Sequence, residues 1–457
     1  MDRRSCGGAL DVTEMEMDAT ERFLENAPRL AEIVGVQPVW LSALRKEGHD
    51  SFAERGFPSS KDEEWKYTSL VALSRQSFTL AGDAGLAAAA DLVQQERLAG
   101  AHLLVFVDGE MATDLCSVGE LPEGVMFTSL RHALVKDEAW VRRRLGAQAK
   151  LEAWPLTALN AALWRDGLAL RVPAKVVLEQ PLQVIYLTTA QKQSLEVQLR
   201  SLVEVGESAQ VRLIESYVGL EGAQASFTNV VSEVTLGDNA RLDRVKSERE
   251  GDATFHVGRF ELRQGRDSSF RSHIFSLSGK LLRDDLNTRF EGEGGECELY
   301  GLFFASGDHL VDHHTVVDHA VPRCRSVESY KGVIDGKARG VFNGKVIVRE
   351  DAQHTDSQQS NKNLLLSESA TINSKPQLEI FADDVKCAHG ATVGQLDEDA
   401  LFYLRARGIG LEEARSMLIR AFAVEVTEGV HDEALREGLE TAFVAQLTHT
   451  PRLEVGA

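Results

Sequence analysis

From Asp166-Gly167 to about Val393 the chain offers strand after strand, with no helical periodicity between them. Short β-rich runs at 182–187, 195–199, 203–205, 210–214 and 230–234 follow one another, separated by Gly, Asn and Asp. The dipeptides Asp335-Gly336 and Asn343-Gly344 read as turns within this stretch. An open parallel sheet needs crossover helices, and none is legible here. What remains is a sandwich, a barrel or a parallel β-helix. The lack of hairpin-like alternation favours the β-helix, although no strict short repeat is present.

Helical patterns flank this region. Residues 21–34 place Phe23, Leu24, Ala27, Leu30 and Ile33 at helical spacing, with Pro28 at a break or a second start. A short strand is expected at 102–107 and a helix at 156–163. After Gly394, Asp397 is a fitting N-cap for a helix with Leu401, Phe402 and Leu404 on its apolar face, stopped by Gly408 and Gly410. Two more helices follow, at 411–426 and 432–447. The expected organisation is a tail at 1–20, a mainly helical domain at 21–166, the β-helix core at 167–395 and a helical domain at 396–457.

Composition narrows the function classes. A formal net charge of −20 on 457 residues argues against general nucleic-acid binding and against an anionic membrane surface. No apolar run approaches the roughly 18 residues of a membrane helix. The first 20 residues lack the apolar core of a secretory signal. Five cysteines, odd in number and scattered, do not form a disulfide framework, which points to a reducing cytoplasm.

Two clusters carry chemistry. Cys387 and His389 are two residues apart in what reads as one strand, so they share a face, with Val385 and Asp383 on the same side. A thiol beside an imidazole suits a soft metal, an iron–sulfur cluster or thiol chemistry. Two ligands do not close a four-coordinate site, so others would come from elsewhere or from a partner. The bland alternative is a buried Cys beside a surface His. The second cluster runs from His309 to His319. As a strand it puts His313, Thr315, Val317 and His319 on one face, and Asp312, His314, Val316 and Asp318 on the other. A polar ladder on a solvated or partner-facing sheet is expected there ahead of a metal site. Cys297 and Cys324 read as structural thiols. Asp383 and Asp384, as strand neighbours, would point to opposite faces on a solvated edge. No phosphate-binding loop, zinc-protease helix, nucleophile elbow or C-x-x-C occurs. The C-terminal helices, with Arg405, Arg407, Arg415 and Arg420 between their apolar residues, fit packing on their own domain and docking of a partner equally well.

Long motifs then point to a family. The runs YKGVIDGKARGVFNGKVIV at 330–348, KPQLEIFADDVKCAHGATVGQ at 375–395 and LFYLRARGI at 401–409 resemble the SufB/SufD family of iron–sulfur cluster assembly proteins. Asp351-Ala-Gln353, Thr355-Asp356, Gln358-Gln359 and the run 361–367 belong to the same match, which spans roughly 301–425. Glu64-Trp-Lys-Tyr-Thr68 and Leu159-Asn160 extend it more weakly toward the N-terminus. Within the family the chain resembles the SufD branch: where the SufB-like motif has glutamates on either side of the histidine, this chain has Ala388 and Gly390.

The resemblance implies a right-handed parallel β-helix between helical domains and a heterodimer with SufB through the β-helix. It implies one SufC ATPase on the C-terminal helices, and a nascent iron–sulfur cluster built at the interface with SufB. His389 would be this subunit's ligand or assembly residue, with partner-supplied ligands, and Cys387 would lie at the same interface. It further implies a non-catalytic subunit that contributes to iron acquisition and binds no cofactor tightly alone. Reduced flavin is associated with the family complex, but no fingerprint for it occurs in this chain. The rival readings are a self-sufficient homodimeric cluster carrier and a polysaccharide-active β-helix enzyme. The missing glutamates weigh against the first, and the lack of a cofacial carboxylate pair against the second.

Overall fold

The computed structural model describes residues 19–81, 86–152, 154–220 and 222–449. Strands after residue 167 alternate strictly between two sheets. Leu195–Val205 lies in one, Gln210–Gly219 in the other, and Ser226–Leu236 returns to the first. Each strand therefore pairs in parallel with the strand one full coil later. Phe255 meets Leu281, 26 residues on, and Arg339 meets Thr371, 32 residues on. The result is a parallel β-solenoid whose walls are a ten-stranded and a nine-stranded sheet. The uneven coil length explains why no repeat is visible in the sequence.

Alternation along each strand sorts side chains between the interior and two outer faces. Leu199, Val234, Leu262, Phe290, Leu299 and Val348 stack inside in one continuous apolar cluster. Asp335-Gly336 forms the expected turn, with Gly336 at φ +64°. Asn343-Gly344 does not: it lies within the strand Arg339–Val348. Gly344 faces inward, where a Cβ would come within 2.3 Å of the Gln359 amide and 2.7 Å of the Phe342 ring. This glycine serves close packing rather than a bend.

The two outer faces are covered by different parts of the chain. Helices Asn26–Val34, Val39–Arg55 and Pro155–Leu163 lie over the nine-stranded sheet, where Phe23, Phe52 and Leu159 pack with Phe227, Phe255 and Leu281. Pro28 falls in the first turn of Asn26–Val34, where no N–H is needed. The expected strand His102–Val107 joins the ten-stranded sheet beside Leu182–Thr188. Helices Leu411–Thr427 and Glu433–His449 lie over the ten-stranded sheet. There Ile419, Ala423, Val426 and Phe443 pack on Phe275, Phe304 and Val333. Lys331 ties this layer down by donating to the Phe422 carbonyl at 2.7 Å and pairing with Glu425. Asp397 caps helix Glu398–Ala406 as expected, accepting from the Asp399 and Ala400 amides. That helix buries Leu401 but leaves Phe402 and Tyr403 exposed, at 74% and 56%. Among the described residues no helix is long and apolar enough to cross a membrane.

A buried clamp fastens the N-terminal layer. The Arg283 guanidinium is bonded to Asp285 and Asp312, both at 2.9 Å, and donates to the Glu64 carbonyl at 2.8 Å. Its other face stacks on the Trp65 ring, 3.7 Å from the centroid. Removing one partner of such a group strands the others. Arg283→Ala is expected to cost about 3–5 kcal/mol by denaturant unfolding, because Asp312 loses its guanidinium inside the fold. A loss under about 1 kcal/mol would show that Thr68 and His314 suffice to hold that carboxylate.

Candidate functional site

The strand Lys386–Gly394 ends the ten-stranded sheet, and Thr371–Ile380 ends the nine-stranded one. Each is paired on one side only among the described residues. Pro376 sits in the second of these, the kind of edge strand that tolerates a missing N–H. The terminal coil is thus an open end with two rows of backbone groups available for pairing.

Cys387 and His389 stand on this end. Ser357 lies opposite Cys387 and Gln359 opposite His389. Cys387 and the preceding Val385 pack against the interior apolar cluster. By alternation His389 lies on the same side as Cys387, and it is exposed because no further coil covers it. Asp383 does not join them, contrary to expectation. The stretch 381–385 is a turn between two strands rather than part of one strand, and Asp383 and Asp384 are exposed within it. Asp384 instead pairs with His354 at 2.9 Å, and its backbone N–H donates to Gln353 Oε1 at 2.9 Å. Burial, with the Asp356 carboxylate adding to it, pushes the Cys387 thiol above its ordinary value despite the Ser357 backbone N–H. Alone, this sulfur is a protonated thiol at neutral pH, and a cation brought beside it is what would release the thiolate.

Beneath the pair, the interior row of the preceding coil is polar: Ser357, Gln359, Asn361 and Asn363 are all buried. Asn361 Nδ2 donates to the Tyr330 carbonyl at 3.2 Å, and Asn363 and Ser374 donate to Asn361 Oδ1 at 2.6 and 2.7 Å. Gln359 Nε2 donates to Glu328 at 3.3 Å, while its Oε1 is buried without a partner. Sequence reasoning missed Glu328. It is fully buried, accepts from Thr315 Oγ1 at 2.5 Å, and burial pushes its carboxyl up to about 7. The available signal was a glutamate in the inward register between Ser326 and Tyr330.

The histidine cluster divides between faces as its alternation predicts, but the histidines on both faces are buried. His313 and His319 point into the solenoid, against Phe303 and Tyr330 and against Phe290 respectively. Burial lowers both to about 4, so they are neutral. Asp312 and His314 lie outside the wall but under the Glu64–Thr68 segment, where Thr68 donates to Asp312. Burial pulls His314 down, yet Asp312 at 3.0 Å outweighs it, so its imidazole holds its proton above the ordinary range. The ladder expected on a solvated or partner-facing sheet is therefore a buried network that joins the N-terminal layer to the wall. His309, in the turn before the strand, belongs to neither face.

Among the described residues one group, inside the solenoid, has the spacing of metal ligands: Glu248, His256 and Asp284 bring their ligand atoms within 4.8 Å of one another. The Lys246 ammonium lies among them, 2.6 Å from Glu248, 2.5 Å from Asp284 and 3.0 Å from His256. A cation already fills this place, and it is the lysine's own.

The fold is a parallel β-solenoid with helical layers on both walls and a thiol–imidazole pair at an open end. Residues 186–422 match the SUF system FeS cluster assembly SufBD core domain, and residues 27–184 match the SufBD protein N-terminal region. An iron–sulfur cluster assembly SufBD family protein of Synechocystis sp. is 32% identical over 92% of this chain and 93% of its own length. The iron–sulfur cluster assembly protein SufD of Escherichia coli is 32% identical over 84% of this chain and 87% of its own. Its namesake in Bacillus subtilis is 26% identical over 88% and 93%. The chain belongs to the SufBD family of iron–sulfur cluster assembly proteins.

Glu328 gives the site a pH signature. Its carboxyl binds a proton more tightly folded, at about 7, than at its ordinary 4.5. Its contribution to stability is full below the lower value and is lost as pH rises through the upper one. Glu328→Gln is expected to flatten that decline in urea unfolding and to raise stability above pH 8 by roughly 3 kcal/mol. Identical slopes for the two proteins between pH 5 and 8 would place the proton elsewhere.

Proposed function

We propose that this chain is the SufD-type subunit of an iron–sulfur cluster assembly complex, a scaffold without catalysis of its own. The observation that carries the reading is the open end, where two edge strands are each paired on one side only and Lys386–Gly394 presents Cys387 and His389 near exposed Phe381 and Val393. An edge of this length is a template for strand addition. SufB is the partner proposed to cover it, joining β-helix to β-helix. The nascent cluster is cargo at that seam. His389 would be a ligand or assembly residue on this side, and the partner would supply the remaining ligands. Cys387 would lie at the same seam, its thiol ionised by the metal or by a partner cation. Cys116, Cys297, Cys324 and Cys387 are free, which suits the cytoplasmic location this reading requires.

The C-terminal helices are proposed to dock a SufC ATPase. Exposed Phe402 and Tyr403 on the first helix support this, as does a groove of about 310 Å³ between the last two helices, lined by Met417, Val424 and Phe443. These last two helices pack on the same ten-stranded sheet that ends in Lys386–Gly394. Movement of the docked ATPase would reach the open end through one continuous hydrogen-bonded wall.

The test is co-expression with SufB and SufC, as wild type and as His389→Ala. Equal assembly is expected, with most of the iron and acid-labile sulfide lost from the variant. Unchanged cluster content would make His389 structural and leave the site to SufB alone. Separately, removal of residues 396–457 is expected to abolish SufC binding in pull-down. Retained binding would put the ATPase on another surface.

A further inference from the structure

A second site lies on the outer face of the nine-stranded sheet and reaches the strand next to its terminal edge. The strands Thr254–Gln264, Leu281–Phe290, Leu310–His319 and Arg339–Val348 run side by side there. Over them opens a groove of about 400 Å³, bounded on the N-terminal side by Glu64 and Trp154. That volume is in the range of small-molecule sites.

The register fixes what faces the groove. Arg259 pairs with Asp285, Glu261 with Asn287, and Arg263 with Arg289. Asp285 is followed by His314 and Arg289 by Asp318, and Val316 by Lys345. Arg263 and Arg289 are thus direct neighbours on one face of adjacent strands, a like-charge pairing that is unfavourable by itself. In a chain of net charge −20 such a pairing is the more conspicuous.

Hydrogen-bond accounting gives the groove its sign. Its carboxylates are largely spoken for. Glu261 takes bonds from Arg259 at 2.7 Å and Asn287 at 2.9 Å. Asp285 is held by two nitrogens of Arg283. Asp318 is shared between Arg289 at 3.1 Å and Arg349 at 2.9 Å. Glu64, at the rim and 3.5 Å from His314, is the least engaged of them. The donors are not used up. Arg259 Nη1 is buried with no acceptor. Arg263 has Glu291 only at 3.7 Å, and Lys345 has Glu379 only at 3.5 Å. The complement of this surface is an acceptor-rich anion.

We propose that this groove binds a small polyanion, carrying several carboxylate or phosphate groups, between Arg263, Arg289 and Lys345, with Arg259 as a buried donor. Such a ligand separates the paired guanidiniums by an anion and satisfies the unused N–H groups. The site uses neither Cys387 nor His389 and is present in the chain alone.

The test is titration calorimetry on the full chain at low salt, with citrate, pyrophosphate and acetate. Citrate, pyrophosphate or both are expected to bind, acetate not, with affinity falling as salt rises. Arg263→Gln/Arg289→Gln is expected to weaken binding about tenfold or more, and Lys345→Gln by less. Arg142→Gln/Arg143→Gln, on an exposed helix elsewhere, removes the same charge and is expected to leave binding unchanged. Binding of citrate alone assigns the site to carboxylates, and of pyrophosphate alone to phosphates. The proposal is overturned if neither binds, or if the two double variants weaken binding equally while both keep the wild-type circular dichroism spectrum.

Discussion

Each interior coil of this protein satisfies its backbone through the coil before it and the coil after it, and the rest of the structure follows from that ladder. Parallel strands stacked in this way cannot close on themselves, so a terminal coil must be left with a bare edge. Here it is the coil that carries Thr371–Ile380 and Lys386–Gly394. The interior responds to the same constraint. Apolar layers share the interior with buried polar groups such as Lys246, Glu248, His256 and Glu328, and the inner row of the coil beneath the open end is Ser357, Gln359, Asn361 and Asn363. The exposed His389 and half-buried Cys387 are consequences of standing on a coil with nothing stacked above it.

The two walls have separate attachments. The nine-stranded wall is bound to the N-terminal layer by buried charge, with Arg283 between Asp285, Asp312 and the Trp65 ring. The ten-stranded wall is bound to the C-terminal helices chiefly by apolar packing of Phe275, Phe304 and Phe443. Buried ion pairs are costly to break on one side and geometrically demanding, whereas apolar burial is non-directional. The N-terminal layer is therefore suited to hold its wall rigid, and the C-terminal layer to pass on displacement. That division fits the proposed roles of a fixed frame and an ATPase-coupled seam.

Much of the fold was legible because its signals are local. β-branched runs without crossover helices specify a stacked-strand architecture, and Asp397 caps its helix through atoms two and three residues away. The pairing of Cys387 with His389 on one side needs only strand alternation. What was not legible depends on neighbours a coil away. Asn343-Gly344 has the composition of a turn, but Gly344 is demanded by the Gln359 and Phe342 side chains beside it. Asp312 and His314 look solvent-facing until the Glu64–Thr68 segment, more than 240 residues earlier, is laid over them. Glu328 looks like any strand glutamate, and its raised carboxyl comes from complete burial in the stacked interior. Whether Phe402 packs on its own domain or faces outward is not decided by helical spacing, and the fold leaves it exposed.

The central claim is that the open end is the face covered in the assembly, and hydrogen exchange measures it directly. In a complex with SufB and SufC, the amides of Lys386–Gly394 are expected to exchange as slowly as those of the interior strand Arg325–Ile334, because a partner strand would occupy their free edge. Exchange of Lys386–Gly394 at the rate of an unpaired edge, with the complex intact, would contradict the account and move the interface to another surface.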